Sequence, residues 1–138
     1  MYEVFDHTAD IGIRVKAATL EELFREAAEA LFSLIVTNLT EVEPRQPFRF
    51  SLALRDKEYD YLLFDWLNEL LYRFETDKIL FSAFELRLSG NELIADCRGE
   101  AMDISRHQMD HEVKAITYHC LQVKQMSNGW HAELIVDI

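Results

Sequence analysis

The chain has 138 residues, 49% of them apolar, and its nine Phe, five Tyr and two Trp can build a single self-sufficient core without a metal or disulfide staple. Twenty-five acidic against fourteen basic residues leave a formal charge of -11, which repels a phosphate backbone. Direct nucleic-acid binding is therefore not expected, and the acidic surplus suits a cation or a basic protein partner, or serves solubility alone.

No basic start followed by an apolar block is present, and no apolar run approaches the ~20 residues that span a bilayer, so the expectation is a cytoplasmic protein without a membrane segment. Cys97 and Cys120 lie far apart and form no C-x-x-C pair, and both read as reduced core thiols.

Along the chain, Ile11, Ile13 and Val15 alternate with Gly12, Arg14 and Lys16, which predicts a first strand over about 3–16 whose polar face carries Asp6, Thr8 and Asp10. Thr19-Leu20-Glu21-Glu22 matches a capping box and predicts a helix over about 20–36, with Leu20, Leu23, Phe24, Ala27, Ala28, Leu31 and Leu34 as its apolar stripe. Pro44 and Pro47 fall in one short connection. Phe48, Phe50, Leu52 and Leu54 then mark a half-buried strand ending near Arg55.

Asp56 can cap a second helix over about 57–74, which turns Tyr59, Leu62, Leu63, Trp66, Leu67, Leu70 and Leu71 toward the core. The remainder reads as strand: 79–88 and 92–102 joined by Ser89-Gly90-Asn91, and about 113–126 and 130–137 joined by Asn128-Gly129, a two-residue hairpin signal. The expected fold is a single α+β domain over 1–138, with a mostly antiparallel sheet of about six strands and two helices on one face.

Chemistry concentrates at the two ends. Asp6-His7-Thr8-Ala9-Asp10-Ile11-Gly12 packs two acids, a His and a Thr into a first strand, and Leu134-Ile135-Val136-Asp137-Ile138 sets an acid inside a closing apolar run. Asp10 and Asp137 both fall at polar positions of their strands, so pairing the terminal strands would bring them together. Two carboxylates ~4 Å apart repel by about 4 kcal/mol at an effective dielectric near 20, so their approach calls for a shared proton or a cation. With the terminal carboxylate of Ile138 as a third acid, the donors are all oxygen and suit Ca²⁺ or Mg²⁺, with Mn²⁺ also admissible, in preference to Zn²⁺. The plainer alternative is that Asp6 and Asp10 form turns or sit in solvent.

Asp103, His107, Asp110 and His111 form a second polar cluster, and His107 and His111 have the spacing of two zinc ligands on one helix. Gln108 stands where the catalytic Glu of an H-E-x-x-H site belongs, and a surface turn is the expectation here. Lys114 precedes a segment that reads as buried strand, where it either pairs with an acid or ends the strand in solvent. No Gly-rich phosphate loop, G-x-S-x-G elbow or Cys with a base partner is present, so no autonomous enzyme is visible. A metal-dependent hydrolase built on the same acids lacks a nameable general base.

Three segments together resemble the archease family: Asp6-His7-Thr8-Ala9-Asp10-Ile11-Gly12, Glu112-Val113-Lys114-Ala115-Ile116-Thr117-Tyr118-His119, and Val136-Asp137-Ile138, with Thr19-Leu20-Glu21-Glu22 fitting too. The likeness covers essentially the whole length. It implies an accessory protein that activates the GTP- and metal-dependent RNA ligase of tRNA splicing by promoting transfer of GMP onto the ligase's active-site histidine and multiple turnover. It further implies metal ligands at Asp10, Asp137 and the carboxylate of Ile138, a functional lysine at Lys114, and a supporting position for Asp6. The family has also been described as chaperone-like, which implies as an alternative a modulator of a tRNA-modifying methyltransferase.

Overall fold

The computed structural model describes residues 1–7 and 10–138, His7 by its backbone alone, and Thr8 and Ala9 lie outside the described residues. In chain order the elements are β1 (Tyr2–His7), β2 (Asp10–Ala17), α1 (Leu20–Ile35), a 3₁₀ turn (Leu39–Glu41), β3 (Gln46–Ala53), α2 (Tyr59–Asp77), β4 (Ile79–Ser89), β5 (Glu92–Ala101), β6 (Ala115–Ile116), β7 (Gln122–Met126) and β8 (Gly129–Asp137).

The chain folds as α+β, but with more strands than the expected six and in two sheets. One sheet runs β1-β2-β8-β6, with β7 also paired to β8, and the other runs β3-β5-β4. Both helices touch strands of both sheets, so they form a layer between them and do not cover one face of one sheet. The cause lies in α1. Its predicted stripe is buried except Leu20, and so are Ala30, Phe32 and Ile35, which lie off that stripe. A helix apolar on more than one side needs more than one cover. Phe32 supplies the second contact, meeting Phe81 edge-on at 5.6 Å and Phe84 at 6.2 Å, both on β4.

Thr19 caps α1 as expected, its hydroxyl accepting the N–H of Glu22 at 3.2 Å. The cap of α2 differs. Asp56 and Lys57 take left-handed backbone conformations in the preceding turn, and Glu58 stands at the N-cap without a side-chain cap bond. Trp66 is fully buried on α2, and its indole N–H donates to the Phe24 carbonyl of α1 at 3.0 Å, so the largest side chain of the core also locks the two helices together.

The predicted strand over 3–16 is a hairpin instead. β1 and β2 pair antiparallel from Tyr2↔Val15 to His7↔Asp10. That reversal changes the parity expected for the acids, because residues paired across two strands share a face. Asp6 pairs with Ile11 and so lies on the face opposite Asp10, not beside it. The expectation for Thr8 falls outside the described residues. The predicted strand over 113–126 is likewise two short pieces, β6 and β7, both paired to β8.

Candidate functional site

β8 lies between β2 and the short edge strand β6, and the registers of both pairs are fixed by the core. Ile11, Val136 and Ile116 form one row across the three strands, all buried against the helix layer. One residue further toward the sheet's end, the side-chain direction flips. Asp137 pairs with Ala115, His7 pairs with Asp10, and continuing the β2–β8 register sets Asp10 directly across from Asp137. Directly opposed residues of an antiparallel pair have Cβ atoms about 4.5–5.5 Å apart. The two acids predicted to meet are therefore brought together by the hydrophobic register of Ile11, Ile13 and Val15 against Val136, Leu134 and Ala132. A slip of one residue would turn one of the two acids onto the buried face, so the core enforces their opposition.

Both residues are half-buried. The next row on the same face is apolar. Phe5 pairs with Gly12, and Gly12 with Ile135, which is only 1% exposed although it points away from the main core. The Phe5 ring occupies the place a Cβ on Gly12 would need, and the Arg14 guanidinium sits 4.5 Å above the ring. Gly12 thus gives the Phe5 ring room to lie on the sheet beside the acid pair. Neither the need for glycine nor the role of Phe5 was readable before the hairpin was known.

The donor set at Asp10 and Asp137 is carboxylate oxygen only, which fits a hard divalent cation. Among the described residues no three His, Cys, Asp or Glu side chains gather into a shell, so these two acids would need further oxygen donors. Asp6, on the other face and exposed, is not brought to them by its side-chain direction.

Lys114 lies one residue before β6, exposed, with its backbone N–H donating to the Asp137 carbonyl at 2.8 Å. Across the strand pair it is Ala115 that faces Asp137, so the structure ties Lys114 to Asp137 through the main chain.

The approach to Lys114 is anchored by the cluster expected to be a surface turn. His107 is 2% exposed. The Asp103 N–H donates to its Nδ1 at 2.9 Å, which leaves the ring proton on Nε2, facing Glu100 Oε2 at 3.1 Å. Glu100 is itself buried and also accepts from the Glu43 N–H at 2.7 Å and from Arg106 at 2.6 Å. Burial by itself would raise the Glu100 carboxyl, but the Glu43 N–H, His107 and Arg106 together outweigh it and hold the group below the usual Glu range.

From this knot the chain runs back to α1, where the backbone N–H groups of Asp110 and His111 donate to the Ile35 and Leu34 carbonyls at 2.9 Å each and so satisfy part of the helix C-terminus. Buried Val113 then leads into Lys114. His107 and His111 are not a ligand pair: the first is a buried anchor, and the second is exposed. No spacing rule announced this, because Glu43 and Glu100 are 57 residues apart.

The cysteines also separate. Cys97 is buried, and burial, with some help from Asp96, pushes its thiol up to about 12, whereas Cys120 is exposed and not a core thiol.

No helix among the described residues is long and apolar enough to cross a membrane. The model of the archease protein family matches residues 2–138. The protein archease of Methanopyrus kandleri is 41% identical over 141 residues, covering 99% of each chain. The solution structure of a Methanobacterium thermoautotrophicum protein superposes with a TM-score of 0.86 at 33% identity, covering 99% of this chain and 98% of that one. The crystal structure of an archease from Thermotoga maritima, described as a possible chaperone, shares the fold with a TM-score of 0.69 at 21% identity, covering 100% and 98%. With the whole length matched in sequence and in fold, the chain belongs to the archease family.

Proposed function

We propose that the chain is an accessory protein of tRNA splicing that activates a GTP-dependent RNA ligase, promoting GMP transfer to the ligase histidine and multiple turnover. The observation that carries this reading is the β2–β8 register, which opposes Asp10 and Asp137 at one end of the sheet. Asp10 and Asp137 would hold a divalent ion, Ca²⁺, Mg²⁺ or Mn²⁺, with the carboxylate of Ile138 as a further oxygen donor. When bound, the ion would supply positive charge that offsets the paired carboxylates and can meet a phosphate-bearing partner site.

The residues of the chain do the positioning. The buried row Ile11, Val136, Ile116 sets the register of the acids, the Lys114–Asp137 backbone bond ties the main chain of Lys114 to that of Asp137, and the exposed Lys114 side chain would orient the contact with the ligase. The charge of -11 speeds docking to a basic, RNA-handling enzyme in the cytoplasm without drawing the chain itself to RNA.

The test is ligase guanylylation by wild type and by the Asp10→Ala, Asp137→Ala and Lys114→Ala variants. Each substitution is expected to remove most of the stimulation while leaving the fold intact. Full stimulation by all three would overturn the assignment.

A further inference from the structure

Among the described residues three tyrosines are exposed, Tyr72 at 61% and the neighbouring pair Tyr61 and Tyr118. Tyr61 is 53% exposed and Tyr118 59% exposed, yet they are not loose rings. Tyr118 stacks face to face on half-buried Phe64, with centroids 4.0 Å apart and planes 16° apart, and meets Tyr61 edge-on at 5.9 Å. Tyr61 and Phe64 are three residues apart on α2 and so share one side of the helix, and Tyr118 follows closely after β6.

The rings form a ridge between two open grooves. One, of about 340 Å³, has Glu58, Asp65 and Arg55 in its wall, and the other, of about 290 Å³, has Asp60 and Leu121. The Asp60 carboxylate is fixed in place by accepting the Val123 N–H at 2.6 Å.

We propose that this ridge docks an arginine-bearing segment of a protein partner. Preordered aromatic faces carry negative quadrupole potential, and a guanidinium lies flat on them while its fork reaches neighbouring carboxylates. Here three carboxylates, Glu58, Asp60 and Asp65, border the rings against one base, Arg55. That balance repels a nucleic-acid backbone, an anionic membrane and a second copy of a chain carrying -11, and it attracts a basic peptide. Rigid exposed tyrosines are also the side chains that concentrate binding energy at protein interfaces.

The ridge is tested first without any assumption about the partner. The full chain is titrated with a short alternating arginine–glycine peptide, with lysine–glycine and glutamate–glycine peptides as comparators, while the ring resonances of Tyr61 and Tyr118 are followed by NMR. The arginine peptide is expected to shift both rings and to bind more tightly than the lysine peptide. The Tyr61→Ala/Tyr118→Ala double variant should weaken it about tenfold, and Tyr118→Phe should retain it. Equal binding of the two basic peptides, unaffected by loss of the tyrosines, would overturn the proposal.

A second arm rests on the accessory reading. With purified ligase, the double variant should raise the concentration needed for half-maximal guanylylation about tenfold and reach the wild-type plateau, whereas Asp137→Ala should lower the plateau itself. If wild type gives no stimulation, the accessory reading falls and the peptide titration alone decides the ridge. If wild type stimulates and the double variant needs no higher concentration, the ridge falls and the accessory reading stands.

Discussion

Glu100 offers the sharpest check on how Lys114 is held in place. Replacing it with Ala removes the acceptor for the Glu43 N–H, for Arg106 and for His107. The Glu43 and Arg106 groups are partly open to water and can rehydrate, but the His107 side chain is fully enclosed and its Nε2–H would be left without an acceptor. Leaving a buried donor without an acceptor costs about 1–3 kcal/mol, and loss of the charge-assisted bonds from Arg106 and the Glu43 N–H places this case near the upper bound, about 3 kcal/mol. For a domain of this size that lowers Tm by roughly 10 °C. Glu100→Gln keeps an acceptor for one donor and should cost about half as much.

The assay is thermal and urea unfolding followed by near-ultraviolet circular dichroism across pH. The folded-state carboxyl is depressed, so its stabilising contribution is complete above the unfolded value near 4.5 and is lost as pH falls through the folded value. The gap between wild type and Glu100→Gln should therefore be constant above about pH 5.5 and close on acidification below about 4.5. A Glu100→Ala protein as stable as wild type, or a gap that widens in acid, would show that Glu100 does not anchor this segment.

Further outcomes follow from the same geometry. Gly12→Ala should cost about 1–3 kcal/mol by displacing the Phe5 ring, and the penalty should largely vanish in a Phe5→Ala background, as a double-mutant cycle would register. Thr19→Ala should cost about 1 kcal/mol in urea unfolding through loss of the α1 cap. At pH 8 a maleimide should label Cys120 in the folded protein and leave Cys97 untouched until the chain unfolds, because burial pushes the Cys97 thiol up to about 12; mass spectrometry of the labelled peptides reads this directly.

The periodicities carried much of the architecture. The α1 stripe, the Trp66 face of α2 and the β4–β5 and β7–β8 hairpins all stand close to where the residues place them. The opposition of Asp10 and Asp137 was legible for a physical reason: each acid sits one residue beyond an alternating apolar run, and register against a core leaves little freedom at the next position.

What failed was inference across breaks in that alternation. Ile11, Ile13 and Val15 speak only for β2, whereas Tyr2 to Asp6 show no clean period, so the reversal that moves Asp6 to the other face gave no warning. Phe32 and Ile35 did carry a warning of the second sheet, since a single stripe leaves them without cover. The burial of His107 was beyond reach, because it depends on partners supplied by segments distant in the chain.

The proposed cation site at Asp10 and Asp137 is read out by thermal unfolding at low ionic strength with and without Ca²⁺ or Mg²⁺. In chelator, Asp10→Asn and Asp137→Asn should each be more stable than wild type by about 1 kcal/mol, the repulsion expected of two partly solvated acids on directly opposed residues. On adding the cation, wild type should gain stability by mass action, and the two variants should gain little. Variants no more stable than wild type in chelator, together with a wild-type Tm that neither cation moves, would contradict the site.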